Sequence, residues 1–325
     1  MSNPPKSEAL RVMVVTMVYP SDDRPSWGTF VKEQVESLRK FCPQLTFDVF
    51  FIPRHRSSLE YFRAMRLLPG IIKKNGYHIV HAHFGLTLLS LIFVNVPIVV
   101  TFHGSDLLVR PAKYLCKLLA RKASKTIVVA QRLRDELGYG EVIPCGIDVE
   151  RFSIPSNHNR ALGGGRIDCL RILFPSNPAI KVKDYGLFQA VCRELEKRGK
   201  QVDRVHLVNI DRANVPEVYW NCDVMLLTSL SEGSPTVIKE AIAAKLPFVS
   251  VDVGDVKEWA RLVDFGVVAR ERDPKTIADE VIALLTRIPG RSLLDNSKCL
   301  EAMEIGNIAK RIKRVYDEAL QEKQG

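Results

Sequence analysis

Short runs of aliphatic residues alternate along this chain with segments whose apolar residues recur every three or four positions. The runs Leu10 to Thr16, Thr46 to Ile52, His78 to Ala82, Ile98 to Phe102 and Lys125 to Val129 read as strands, with a first helix at Phe30 to Lys40. A second series begins at Leu170 to Phe174 and continues through Val205 to Ile210, Val224 to Thr228, Phe248 to Val253 and Gly266 to Ala269. Its helices are expected at Asp184 to Arg198, Pro235 to Lys245 and Pro274 to Arg287. Continuous Val/Ile-rich strands separated by helices imply parallel sheets covered on both faces, with ligands held beyond the carboxyl ends of the strands. The expected fold class is α/β, two doubly wound Rossmann-like domains facing across a cleft. The Ser-, Asn-, Gly- and Pro-rich stretch Ser153 to Gly165 marks the boundary. The expected division is an N-terminal domain over residues 1–155, a C-terminal domain over 156–305, and a terminal helix within 306–325.

One uncharged run of 19 residues, Phe84 to Phe102, has the length of a membrane span. Pro97 divides it into a short helix, Thr87 to Val94, and the strand from Ile98, so it reads as two buried elements. The first 20 residues carry no apolar run with a small-residue cleavage site, and the seven cysteines include no CxxC pair. Reduced thiols and a cytoplasmic location follow as expectations.

Charge changes the picture of the front half. The net charge is +10, and residues 1–150 hold 20 Lys and Arg against 13 Asp and Glu. The cations form two runs, Arg54, Arg56, Arg63, Arg66, Lys73, Lys74 and then Arg110, Lys113, Lys117, Arg121, Lys122, Lys125, each interleaved with apolar residues. Such runs suit either an anionic membrane surface, making the protein peripheral at the inner face, or two amphipathic helices with solvated faces. Neither belongs to a nucleic-acid motif, and no nucleic-acid partner is expected.

The segment Leu226 to Val256, LLTSLSEGSPTVIKEAIAAKLPFVSVDVGDV, has the order strand, loop, helix, strand. Pro235 suits the first helical turn, so the amides around Gly233, Ser234, Thr236 and Val237 point outward with the positive end of the helix dipole and can hold a diphosphate. Glu232 in the loop and Glu240 in the helix supply two carboxylates for hydroxyl pairs. His81, His83 and His103 sit at the ends of successive strands, where a doubly wound sheet builds its site; Asp106 follows His103 closely. His-x-His suggests a metal, but no third ligand follows by spacing, and no Asp-x-Asp pair exists to clamp a metal-bridged diphosphate.

Glu232 and Glu240 with seven residues between them resemble the E-x7-E signature of retaining glycosyltransferases of the GT-B fold, family 4 (glycosyl transferases group 1). The likeness extends over nearly the whole chain. Trp27-Gly28-Thr29-Phe30 resembles the family's glycine loop, and Pro144 to Phe152 resembles its P-N-G-V-D-x-x-x-F segment, with Cys145 in place of Asn. The resemblance implies that Glu232 binds donor-sugar hydroxyls, Glu240 the nucleotide ribose, His103 the donor sugar, and Gly28 phosphate or acceptor. Asp106 then assists the acceptor or orients His103. Asn177 stands where the family usually carries Arg, which leaves Lys183, or Lys181 if the loop is shifted, as the main cation on the leaving diphosphate. The terminal helix is expected to cross back onto the first domain.

The resemblance thus implies metal-independent transfer of a sugar, with retention, from a UDP- or GDP-linked donor to a glycan or lipid-linked acceptor in polysaccharide or cell-envelope assembly. No further cofactor is implied. Two other readings stand beside it: a nucleotide-sugar epimerase of the same GT-B architecture, and a non-catalytic nucleotide-binding scaffold for which the missing Arg speaks.

Overall fold

In the computed structural model of the chain, residues 9–324 are described except 23, 25, 26, 110, 111, 157–168 and 289. Most of the expected linker Ser153 to Gly165 lies outside the described residues, as does Arg110 of the second basic run. The chain forms two compact units, Met1–Cys145 with Ile305–Gly325, and Gly146–Glu304.

The first unit holds a six-stranded sheet of β1 (Leu10–Thr16), β2 (Leu45–Phe51), β3 (Ile79–His83), β4 (Ile98–Phe102), β5 (Lys125–Val128) and β6 (Glu141–Val142). Its order is β2-β1-β3-β4-β5-β6, and every pairing is parallel. Alternate residues of each strand feed opposite cores. Met13 and Val15 of β1 pack with the helix Glu60–Asn75, the 3-10 helix Gly85–Leu91 and the helix Ala112–Ala120. Val12 and Val14 pack with the helices Thr29–Phe41 and Ile305–Gln324. The short helix expected at Thr87 to Val94 is therefore a 3-10 helix that starts two residues earlier, a tight connector between adjacent parallel strands.

The terminal helix Ile305–Gln324 buries Ile308, Ala309, Ile312, Val315, Tyr316 and Ala319 in the first unit's core. Its anchor is polar. His81, on the same face of β3, shares hydrogen bonds through Nδ1 with Tyr316 Oη (2.7 Å) and through Nε2 with Thr101 Oγ1 (2.8 Å). All three groups are buried, so each ring nitrogen depends on its hydroxyl.

The second unit holds β7 (Cys169–Phe174), β8 (Gln201–His206), β9 (Val224–Leu227), β10 (Phe248–Ser250) and β11 (Gly266–Val268) in the order β11-β10-β9-β7-β8, again all parallel. The helices Tyr185–Lys197, Thr236–Ala243 and Pro274–Arg287 follow their strands. The strand expected at Val205 to Ile210 lies four residues earlier. β8 is an edge strand that pairs only with β7, in register from Cys169↔Gln201 to Phe174↔His206. Val208 and Ile210 fall beyond the end of that ladder, and Asn209 turns the chain with φ 55°. Aliphatic composition drew the expected strand toward residues that have no partner to bond.

Replacing Tyr316 by Phe leaves His81 Nδ1 buried without a partner. The expected loss is about 1–3 kcal/mol of first-unit stability, read from the urea midpoint; an unchanged midpoint contradicts this anchoring.

Candidate active site

The reversal of winding in the first sheet lies between β1 and β3, and the loops there gather Gly28, His83 and His103 at the carboxyl edge. Gly28 precedes the Thr29–Phe41 helix with φ 76°, and a Cβ there would come within 2.6 Å of the Val18 carbonyl carbon. Glycine is required because the loop packs directly on the backbone leaving β1.

His83 is fully buried, and its Nδ1 lies 2.9 Å from Nε2 of His103. The His103 ring rests against Phe30 and Phe84, with centroids 4.8 and 4.7 Å away. Asp106, expected beside the acceptor or behind the His103 ring, is instead engaged by the backbone. Its Oδ1 accepts from Gly104 N (2.9 Å), and its Oδ2 from Gly85 N (3.1 Å) and His103 N (3.3 Å). It ties the loops after β3 and β4 together and leaves the imidazole of His103 to His83.

In the second unit, the loop after β7 carries Asn177, Lys181 and Lys183. Asn177 Oδ1 accepts from Ala179 N at 2.9 Å and so folds into its own turn, offering no cation where the family carries Arg. Lys181 is exposed and makes no ion pair among the described residues. Lys183 Nζ lies 2.6 Å from Glu232 Oε1, so the two groups expected to bind diphosphate and sugar meet each other. Beside Glu232, Pro235 caps the helix and Thr236 begins it, one residue later than expected. The amides of Gly233, Ser234, Thr236 and Val237 donate to no group among the described residues, as the first turn of a helix requires.

Two of the expected binding side chains face inward. Ser234 Oγ donates to Asp255 Oδ2 (2.6 Å) and accepts from the fully buried Lys239 Nζ (2.6 Å), while Trp259 Nε1 donates to the same carboxylate oxygen (2.9 Å). Ser234 can therefore serve an anion through its amide only. Gly254 closes the same corner: a Cβ on it would lie 2.5 Å from the Gly233 carbonyl oxygen. Glu240 is 1% exposed, and both its oxygens are engaged, Oε1 by Arg212 (2.6 Å) and Oε2 by Tyr219 Oη (2.7 Å). A ribose hydroxyl reaching Glu240 has to displace the guanidinium.

Arg212, Tyr219, Lys239, Asp255 and Arg272 escaped sequence reasoning. Arg272 stands just before the helix Pro274–Arg287 and donates to Asp184 Oδ2 (2.6 Å) and to the Thr228 and Ser229 carbonyls (2.7 and 2.9 Å). It joins the loop carrying Lys183 to the loop leading to Glu232. Nothing local in the sequence signals the ion pairs of Arg212 with Glu240, Lys239 with Asp255 and Arg272 with Asp184, whose partners stand 28, 16 and 88 residues apart.

Residues 11–151 match Glycosyltransferase Family 4, and residues 183–287 match Glycosyl transferases group 1. The chain belongs to this family of glycosyltransferases. TuaC of Bacillus subtilis (strain 168), provisionally named a teichuronic acid biosynthesis glycosyltransferase, is 25% identical over 76% of this chain and 82% of its own length. Anabaena HepE, solved with UDP-glucose, shares the GT-B fold with a TM-score of 0.67 at 12% identity over 95% of this chain and 99% of that one. The UDP-GlcNAc 2-epimerase of Methanocaldococcus jannaschii shares it too, with a TM-score of 0.60 at 12% identity over 95% and 99%.

In this family 4 glycosyltransferase the histidines are held neutral. Burial lowers His81 well below its usual range, helped by His83 and His103; it lowers His83 to about 3, and His103 well below its usual range with His83 contributing. Asp106 moves the other way: burial raises it to about 6 against its three amide donors. When the pH falls below the unfolded histidine value of about 6.5, the unfolded chain takes up three protons that the native first unit refuses. Asp106 takes up one that the unfolded chain does not yet bind. The native unit therefore loses stability on acidification from pH 6.5 towards 4, by about 1.4 kcal/mol per pH unit for each net proton. Urea midpoints at pH 7.5, 6 and 5 check this; a midpoint that rises on acidification refutes it. In the second unit, Glu240→Ala takes the shared carboxylate away from the half-buried Arg212 and from the buried Tyr219 phenol, at an expected cost of about 1–3 kcal/mol, measurable by thermal unfolding; a variant as stable as the wild type refutes that pairing.

Proposed function

We propose that this enzyme moves a sugar from a UDP-linked donor to a glycan or lipid-linked acceptor of a surface polysaccharide, with retention at the anomeric carbon and without a bound metal. The observation that carries the reading is the Lys183–Glu232 pair beside the unspent amides of the helix Thr236–Ala243. A donor diphosphate is a better partner for Lys183 than a single carboxylate, because it brings two or more charges and fills the amides as well. Glu232, released by that exchange, is free to accept the sugar hydroxyls. Charge developing on the departing diphosphate is then stabilised by Lys183, by Lys181 and by oriented backbone dipoles. The UDP donor is suggested by HepE, solved with UDP and with UDP-glucose, and the acceptor class by the name of TuaC.

The acceptor reading gains from the surface of the first unit. The helix Glu60–Asn75, the 3-10 helix Gly85–Leu91 and the helix Ala112–Ala120 cover one face of the sheet. These elements and the residues beside them expose Leu59, Phe62 (50%), Phe93 (62%), Tyr114, Leu115 and Leu118 (60%). Arg63, Arg66, Lys73, Lys74, Arg121 and Lys122, in or next to the same helices, are exposed as well, whereas Lys113 and Lys117 are paired with Glu136. Exposed apolar side chains interleaved with exposed cations suit an anionic lipid surface, where a lipid-linked acceptor is found. No helix among the described residues is long and apolar enough to cross a membrane; the attachment proposed is peripheral, at the cytoplasmic face.

Two measurements test this. The donor panel comes first: the protein turns over one nucleoside-diphosphate sugar with chelator present, and Lys183→Ala lowers kcat on the order of 10²–10³-fold. Isomerised donor with no acceptor consumed points to an epimerase, and full activity in the variant removes Lys183 from the site. Sedimentation with vesicles comes second: phosphatidylglycerol vesicles retain the protein at low salt, neutral ones do not, and Phe93→Glu with Leu118→Glu abolishes retention. Equal retention by neutral vesicles, or none by anionic ones, ends the membrane reading.

A further inference from the structure

The contact between His83 and His103 has a property that neither residue has alone. Their centroids are 5.2 Å apart with an angle of 19° between planes, while the facing nitrogens are 2.9 Å apart. The centroid separation exceeds the nitrogen separation by about two ring radii, so the imidazoles lie edge to edge and share one hydrogen bond in their common plane. One bond between two neutral imidazoles holds one proton, either on His83 Nδ1 or on His103 Nε2.

The far side of His83 decides between them. Its Nε2 is buried and has no hydrogen-bond partner among the described residues. If His103 Nε2 donated, His83 would have to carry its proton on Nε2, which buries an N–H facing nothing. Buried N–H groups without acceptors are the rarest and costliest orphans, and a bare ring lone pair is cheaper. We infer that His83 is a positioning residue: it donates from Nδ1 to His103 Nε2, and so fixes His103 with its proton on Nδ1.

That nitrogen is the open end of the ring. His103 Nδ1 bonds to nothing among the described residues and is not enclosed, and Phe30 and Phe84 hold the ring in place from two other sides. His103 therefore presents a fixed neutral N–H donor at the carboxyl edge of β4. It suits an oxygen lone pair, such as a hydroxyl of a bound sugar, and it has no free lone pair there with which to remove a proton. His81 imposes no such choice, because both its nitrogens meet hydroxyls that donate or accept equally well.

The tautomer stands on geometry; its consequence for turnover rests on the sugar-transfer reading. Long-range proton–nitrogen correlation on the full chain with 15N-labelled histidine, at pH 7.5, reads both. In the wild type, His103 is expected to show a pyrrole-type Nδ1 and a pyridine-type Nε2, with the same pattern in His83. In His83→Leu, His103 redistributes between tautomers and kcat falls on the order of five- to tenfold, by the fraction of molecules lost to the wrong form. His83→Asn, whose amide nitrogen reaches the place of the ring Nδ1, restores the Nδ1–H form and most of the rate. A proton on His103 Nε2 in the wild type overturns the assignment, whether or not the variants fold. A folded Leu variant with an unchanged spectrum and rate overturns the positioning role. Absence of sugar transfer by the wild type counts against the proposed function and leaves the spectrum to decide the tautomer.

Discussion

Parallel pairing of all eleven strands among the described residues is the constraint on which the rest of this structure depends. A parallel ladder brings every carboxyl end in a sheet to one edge, and the chain must leave that edge through a loop before a helix carries it back. His83 at the end of β3, His103 after β4, the lysine after β7 and the glutamate after β9 are therefore gathered at the carboxyl edges of their own sheets, although long segments separate them in sequence. The loops that hold them are pinned from beneath. Asp106 collects three backbone amides, Arg272 ties two loops of the second unit, and Gly28 and Gly254 let backbone rest on backbone.

Charge in the second unit is stored in pairs. Lys183 with Glu232, Arg212 with Glu240, and Lys239 with Asp255 each join a carboxylate to a cation. The three differ in what can compete for them. Lys239 and Asp255 are sealed in, share Ser234 and Trp259, and hold the corner of the loop; their charges are structural. The other two cations are partly open to solvent, so an anionic ligand can take the place of the carboxylate. Breaking a half-buried pair costs little when a stronger partner replaces the one removed, and much when none does.

The first unit solves the opposite problem. Its histidines 81, 83 and 103 are held neutral by burial, and they are joined to hydroxyls, to one another and to aromatic rings instead of to carboxylates. A neutral edge is compatible with transfer of a sugar, where positive charge develops on the ring carbon and a nearby imidazolium would oppose it.

The β/α alternation was legible in the chain because burial on both sides of a strand and on one side of a helix imposes a period on the residues. The helix Pro274–Arg287 and the strands at Leu10 and Ile98 begin and end where their patterns do. The spacing of Glu232 and Glu240 around a helix start was legible as well, since it belongs to one local segment, and it carried the family with it. What a local pattern does not hold is the partner across the fold. Ser234 turns away from the surface because Asp255 and Lys239 lie below it, Glu240 is covered because Arg212 and Tyr219 reach it from the segment between β8 and β9, and β8 stops where β7 stops. The sequence determined which elements form and which residues stand at their ends; the tertiary structure alone decided which of their atoms are already engaged and which remain open, because that depends on distances between segments that no period along the chain encodes.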